Sequence, residues 1–417
     1  MSKNLSTQPY KGVRDFYPED AAIQQYIFDT WSKTAEAFGF SRYDASILEP
    51  SAMYKAKGAQ NEEMVNDQTY TFTDRGDREV TLRPEMTPTV ARLIAGRRRE
   101  LSFPVRWYSI PNLFRYERAQ RGRLREHWQL NCDIFGGDSF AADVEMILLA
   151  RQVLLDFGAT DDMFEIHLND RAQMMRQYLA LGLTEAQIPN ITRLNDKKNK
   201  ISKEEYRTEL NEITKDETLS EEIIILLEQT DTDSDIHFAL NELGITNVVF
   251  DKTLARGFDY YTGTIFEIFD TSGENNRALL GGGRYDNLTA LFGGEPVSGV
   301  GFGMGDVTMR DFLTTHNLVP TQINQGVTVA ILPLSAAEQL PALKLAQEFR
   351  AAGVSASIDT SDRKIGKKIA AAETAHANYV LALGSDEAIS NVYTMKHLQS
   401  GKETLGTVAK LLKIIVS

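Results

Sequence analysis

A chain of 417 residues exceeds what one hydrophobic core usually spans, so two or three domains are expected; 42% hydrophobic and 25% charged residues describe an ordinary globular protein. No run approaches the roughly 20 apolar residues of a membrane helix, and one cysteine, Cys132, excludes an intramolecular disulfide framework and, with six scattered histidines, argues against structural zinc. A net charge of -13 excludes RNA or DNA binding by the surface as a whole, so any nucleic acid must meet local basic patches.

The N-terminal stretch MSKNLSTQPYKGVRDFYPED has neither an apolar h-region nor an Arg-rich amphipathic run, which predicts a cytoplasmic location. A helix is predicted over Ala21–Phe38, then strands around Ser41–Leu48, Thr69–Thr73 and Glu79–Arg83. This pattern reads as an α+β domain with antiparallel strands over residues 1–165. Residues 166–248 turn Leu-, Glu- and Lys-rich, as in AQMMRQYLALGL and SEEIIILLEQTDTD, and predict an inserted helical module. Strand and glycine signals return after 249, so the first domain is expected to resume over 249–320.

The polar stretch TTHNLVPTQINQG then precedes VTVAILPL, a helix over Ala336–Ala352, VSASID, a helix over Lys364–Ala375, and YVLALG. Strands alternating with helices of this length predict a small α/β domain over 326–417 with a largely parallel sheet. Ten basic against eight acidic residues leave it about +2, so relative positive charge is concentrated there. Further basic patches are Arg97-Arg98-Arg99, RAQRGRLR at 118–125, Lys197-Lys198 with Lys200, and Arg363-Lys364 with Lys367-Lys368.

The chemistry concentrates in a few strings. In FRYERAQRGRLREHWQLNCDIFG, residues 114–136, period two puts Trp128, Leu130, Cys132 and Ile134 on one face and His127, Gln129, Asn131 and Asp133 on the other. Arg115 and Glu117 project together ahead of a basic loop, offering a guanidinium to a phosphate and a carboxylate to an amine. In TLRPEMTPTVAR, Thr87 is placed to cap a helix with Pro88 in its first turn, leaving Glu85 displayed just before the helix. In RGFDYYTGTIFE, Arg256 at a strand entrance can approach an anion closely and cannot deprotonate, which suits electrostatic activation. LLGGGRYDNL at 279–288 sets three glycines, which permit close backbone approach to a ligand, before Tyr285.

Together these strings resemble class II aminoacyl-tRNA synthetases in the form of histidyl-tRNA synthetases, and the resemblance covers nearly the whole chain. AFGFSRYDASILEP at 37–50 resembles motif 1, which implies a homodimer, and 114–136 resembles motif 2. The resemblance implies that Arg115 contacts the α-phosphate of ATP and that Glu117 contacts adenine, while the basic loop reaches the tRNA acceptor end. Glu85 and Thr87 are implied to hold the α-amino group of histidine, and Gln129 and Asp133 to bind substrate; Asp133 stands where many bacterial members have glutamate. Arg256 is implied to stabilise charge at the reacting carboxylate and α-phosphate, Tyr260 and Tyr261 to take part in recognising histidine, and Tyr285 to line the side-chain pocket.

The C-terminal domain resembles the anticodon-binding domain of histidyl-, prolyl-, threonyl- and glycyl-tRNA synthetases. Histidine, ATP with Mg2+ and tRNA(His) are the implied ligands. One departure stands out. GVGFGMGDVTM at 299–309 occupies the motif 3 position, and Thr308 falls where an arginine for the ATP γ-phosphate is expected. Arg310 is two residues further along and on another helix face, which leaves the motif 2 arginines or bound magnesium; Arg123, at the inner end of the basic loop, is the preferred protein substitute, with a tRNA phosphate contact as its other reading. The departure keeps one alternative open, a catalytically inert histidine sensor such as the regulatory subunit of ATP phosphoribosyltransferase.

Overall fold

The computed structural model describes residues 5–56, 68–198, 201–229, 234–254, 260–321, 323 and 326–416. The chain divides into two compact units, Met1–Asp15 with Gln24–Val319, and Phe16–Ile23 with Pro320–Ser417. No helix among the described residues is long and apolar enough to cross a membrane.

In the first unit the strands are β1 (Ser41–Arg42), β2 (Leu48–Pro50), β3 (Tyr70–Thr73), β4 (Glu79–Leu82), β5 (Val105–Ser109), β6 (Asn112–Phe114), β7 (Glu126–Phe135), β8 (Phe164–Asp170), β9 (Val248–Phe250), β10 (Thr264–Asp270), β11 (Leu280–Arg284) and β12 (Gly299–Gly305). Among the described residues nine of them form one sheet in the order β1-β5-β7-β12-β11-β10-β8-β9, with β6 also paired to β7; β2, β4 and β3 form a separate small sheet. All pairings in the large sheet are antiparallel except β1 with β5 and β8 with β9. This is the expected α+β architecture.

The structure departs from the expected elements at three places in this unit. Residues 41–48 are not one strand: Asp44 and Ser46 side chains accept backbone bonds from Ala45 and Leu48, and such local bonding competes with ladder pairing. The helix-rich segment begins at Arg171 rather than 166, because FEIHLND alternates as a strand and pairs along its whole length with β10. Thr87 is the first residue of the Thr87–Arg97 helix, with Met86 at the cap position and no side-chain cap bond.

Helix Ser139–Asp156, capped where Asp138 accepts from the Ala141 N–H at 2.9 Å, packs on β7, β11 and β12. The residues facing it and its neighbours are the even-numbered apolar ones, Leu130, Cys132 and Ile134 of β7 and Phe302 and Met304 of β12, all buried. Trp31, buried on helix Pro18–Ala37, points its indole nitrogen at the Met304 sulfur, 3.1 Å away.

In the second unit β13 (Val329–Pro333) pairs in parallel with β14 (Ala356–Ile358) and β15 (Tyr379–Leu383), as alternation with helices predicts. The expected largely parallel sheet is only half so. β16 (Tyr393–His397) and β17 (Glu403–Gly406) add antiparallel pairs, since the short link between them can return the chain only as a hairpin. Val329, Ile331, Leu345, Phe349, Leu381 and Leu411 form its core. Lys368 leaves the basic patch assigned to it: its stem is buried and its ammonium donates to the Pro333 carbonyl at 2.8 Å.

One buried ion pair ties the large sheet to its covering helix. Arg284, at the end of β11, donates through Nε to Asp143 Oδ2 at 3.1 Å and through Nη2 to the Ser139 carbonyl at 2.9 Å, while Thr264 donates to the same Asp143 oxygen at 2.8 Å. Arg284→Met strands the Asp143 carboxylate, and a loss of roughly 3–5 kcal/mol in urea unfolding is expected. The double variant Arg284→Met with Asp143→Leu should recover most of that loss in the same measurement.

Candidate active site

The floor of the site is set by strand register. Gln129, Asn131 and Asp133 of β7 stand opposite Gly305, Gly303 and Gly301 of β12, and Gly303 and Gly301 in turn stand opposite Gly281 and Gly283 of β11. Period two therefore lays the polar face of one strand beside two rows of missing side chains. A Cβ on Gly301 would collide with the Asp133 carboxylate and lie 2.8 Å from the Tyr285 hydroxyl. The glycines expected to admit a ligand thus also make room for neighbouring side chains. Gly282 faces the other side, where an added Cβ would strike Phe266 and Phe302.

Glu85, Thr87, Arg115, Gln129, Tyr260, Tyr261 and Tyr285 line one cleft above this floor, together with Met86, Asn131, Gly281, Gly301 and Gly303. The first seven are the residues that the sequence predicts for the site, drawn from four separate segments. Asn131 lies on the polar face that alternation predicts, and joins the lining without a predicted role. The three tyrosine rings pack edge-on or tilted, with centroids 4.9 Å (Tyr260–Tyr261), 5.8 Å (Tyr260–Tyr285) and 6.5 Å (Tyr261–Tyr285) apart. Tyr260 donates to Glu85 Oε2 at 3.2 Å, which holds a buried carboxylate at the edge of the aromatic wall.

Asp133 does not line the cleft; it lies beneath, buried, and accepts a hydrogen bond from the Tyr285 hydroxyl. Burial pushes its carboxyl up to about 7 against the pull of that bond, and pushes the Tyr285 phenol up as well. Asp133 thus bears on the cleft through Tyr285.

Arg115 follows β6 and donates through Nε to the Pro84 carbonyl at 2.8 Å, which fixes the guanidinium beside the cleft while it makes no ion pair among the described residues. Burial lowers its proton affinity and the nearby Glu117 and Glu85 carboxylates raise it; an arginine stays charged through shifts of this kind. Glu117, buried, sits next to the cleft and pairs with Arg123 Nε at 2.6 Å. The basic loop closes on reciprocal backbone bonds between Gln120 and Arg123, at 3.0 and 2.9 Å. His127, on the polar face of β7 but without a predicted role, is half-buried, and desolvation with the charges of Arg115, Arg14 and Arg123 holds its imidazole well below its usual pKa and neutral. Arg256 lies outside the described residues.

Comparison with known proteins fits this arrangement. The family model described as Histidyl-tRNA synthetase matches residues 12–306, and one described as Anticodon binding domain matches 328–417. The histidine–tRNA ligase of Leptospira biflexa is 40% identical over 99% of this chain and 98% of its own length, and that of Thermoplasma volcanium is 35% identical over 99% of each. The solved histidyl-tRNA synthetase of Nostoc sp. PCC 7120 superposes with a TM-score of 0.80 at 23% identity, over 99% of both chains. The fold, with its large mostly antiparallel sheet, is that of a class II aminoacyl-tRNA synthetase. Matched from end to end by such relatives, the chain belongs to the histidyl-tRNA synthetase family.

The raised carboxyl of Asp133 has a testable consequence for stability. The folded chain keeps this proton up to about pH 7, whereas an unfolded aspartate releases it near 4. Between those values the folded state binds more protons, so this group's contribution to stability falls as pH rises through the window. Asp133→Asn removes the component: thermal unfolding should show the variant converging with the parent at pH 4 and gaining up to a few kcal/mol over it at pH 8. Parallel curves for the two proteins would contradict the raised carboxyl.

Proposed function

We propose that this chain is a histidine–tRNA ligase, activating histidine with ATP and transferring it to the 3' end of tRNA(His). The observation that carries the reading is the single cleft in which the Arg115 guanidinium, the Glu85 carboxylate and the tyrosines 260, 261 and 285 converge. Glu85 and Thr87 take the α-amino group of histidine, Gln129 and the Tyr260–Tyr261–Tyr285 wall its side chain, and Asp133 steadies the Tyr285 hydroxyl at that pocket. Glu117 takes adenine, and Arg123 the phosphate tail.

In the first step a histidine carboxylate oxygen attacks the α-phosphorus in line, the bond to the β-phosphate oxygen breaks, and pyrophosphate leaves. Arg115 and Arg256 neutralise charge on the α-phosphate and the reacting carboxylate, where fixed cations act with little reorganisation. In the second step a terminal ribose hydroxyl of tRNA attacks the activated carbonyl and AMP departs. No covalent enzyme intermediate is required. Mg2+ enters with ATP, whose phosphate oxygens supply most of its ligands; among the described residues no group of three or more His, Cys, Asp and Glu is placed to hold a metal.

Residues 326–417 serve anticodon binding, the helix-rich segment that begins at Arg171 forms the insertion, and the strands on either side of it, within 1–170 and 248–320, carry catalysis. The active form is a homodimer in the cytoplasm. A histidine-sensing regulatory role is not favoured, because relatives matching 99% of the chain are named as ligases and residues 328–417 match an anticodon-binding domain.

Histidine-dependent ATP–pyrophosphate exchange tests the reading without a matched tRNA, and its absence in the parent protein overturns it. Arg115→Ala and Arg256→Ala should each lower exchange about 10²–10³-fold in a folded protein. Removing residues 326–417 should reduce tRNA charging far more than exchange; equal loss of both in a folded truncation counts against the division of labour.

A further inference from the structure

The helix Asp306–Thr315 begins where β12 ends, and its third residue, Thr308, is turned inward. Its hydroxyl donates to the Leu279 carbonyl at 3.2 Å and to the Gly305 carbonyl at 3.1 Å, so this position supplies no cation. What occupies the space beside it is the tip of the basic loop. Gly122, at φ +71°, sits so close that an added Cβ would lie 3.3 Å from the Thr308 methyl and 3.0 Å from Arg277 Cδ. A long side chain at 308 would have to displace this loop.

Arg277 is brought to the same spot by a different route. It lies in the approach to β11, two residues before the Leu279 whose carbonyl Thr308 holds, so its backbone is pinned against the helix start. Its stem runs along Gly122, and its guanidinium lies in the field of Arg123 and Glu117. Burial and the like charge of Arg123 lower its proton affinity, with only Glu117 opposing them. That carboxylate is already engaged at 2.6 Å by Arg123, and Arg277 makes no ion pair or hydrogen bond among the described residues. Arg115 feels Arg123 and Glu117 as well. Three guanidiniums thus gather around Glu117, with Glu85 acting on Arg115 as well, and three cations against two carboxylates leave an excess of fixed positive charge that a polyanion would relieve.

We propose that Arg277 grips the terminal phosphates of ATP, filling from the β10–β11 link the role that an arginine at position 308 would otherwise serve. The inference rests on the ligase reading, and it adds a residue which that reading does not require. Arg123, tied through Nε to Glu117, contributes its remaining N–H groups to the same tail, whereas Arg277 brings an uncommitted guanidinium.

The test compares nucleotides with and without the tail. Binding of β,γ-methylene-ATP and of AMP is measured by calorimetry, beside the ATP dependence of exchange, for the parent protein, Arg277→Ala, Arg277→Lys and Arg277→Gln. Loss of Arg277 should weaken β,γ-methylene-ATP and raise the apparent KM for ATP about ten- to hundred-fold, a span consistent with one or two charged hydrogen bonds. AMP affinity should stay within about two-fold in the same variants, with Arg277→Lys intermediate for the triphosphate. Equal weakening of AMP and the triphosphate analogue, in whichever variants fold, makes Arg277 a structural support and overturns the proposal. Unchanged binding of both overturns it too, leaving the tail to Arg123 or the metal. If the parent protein itself neither binds the analogue nor supports exchange, the ligase reading fails first, a result separable from either of these.

Discussion

Much of this structure depends on two strands giving up their side chains on one face. Gly281 and Gly283 on β11, with Gly301, Gly303 and Gly305 on β12, lie in register with one another and with Asn131, Asp133 and Gln129 of β7. On the opposite face the same strands carry Leu280, Phe302 and Met304 into the core. The sheet is therefore strongly anchored from below while remaining bare above, and the cleft exists because of that asymmetry. Any Cβ at Gly301 would expel the Tyr285–Asp133 pair from its place.

That pair illustrates how burial sets chemistry. Asp133 has one strong donor and little solvent, so its carboxyl rises toward neutrality, and the phenol that serves it is pushed up in turn. Both hydroxyl and carboxyl are then held in a single geometry under the aromatic wall. The Arg284–Asp143 pair on the other face is equally buried but fully bonded, through Ser139 and Thr264 as well, and it serves to lock β11 to its covering helix. Two buried carboxylates, one on each face of the same sheet, thus have different roles, decided by which face they occupy.

The outer end of the cleft is organised by charge. The chain carries a net -13, yet Arg115, Arg123 and Arg277 gather there around Glu117. Such a local reversal of sign attracts anions more effectively than any average over the surface would suggest. The loop that bears Arg123 is seated by Gly122 against Thr308 and Arg277, so the small residue at 308 and the loop position belong together.

The sequence by itself determined the α+β class, the C-terminal α/β unit, and the four segments whose side chains meet at the cleft. These were legible because period-two alternation in 126–135 and the order of the Glu85, Arg115, Tyr260–Tyr261 and Tyr285 strings are local properties of the chain. Tertiary structure alone decided the rest. Which glycines face a ligand and which face Phe266, that Asp133 sits under Tyr285 rather than in the cleft, that Thr87 begins a helix without capping it, and that Lys368 is buried all depend on register and on packing partners distant in sequence. Arg277 was silent for the same reason. Nothing in ENNRALL marks it, and only the fold carries it across some 150 residues to Gly122 and Arg123, because a charge acquires its role from the field around it and not from its neighbours along the chain.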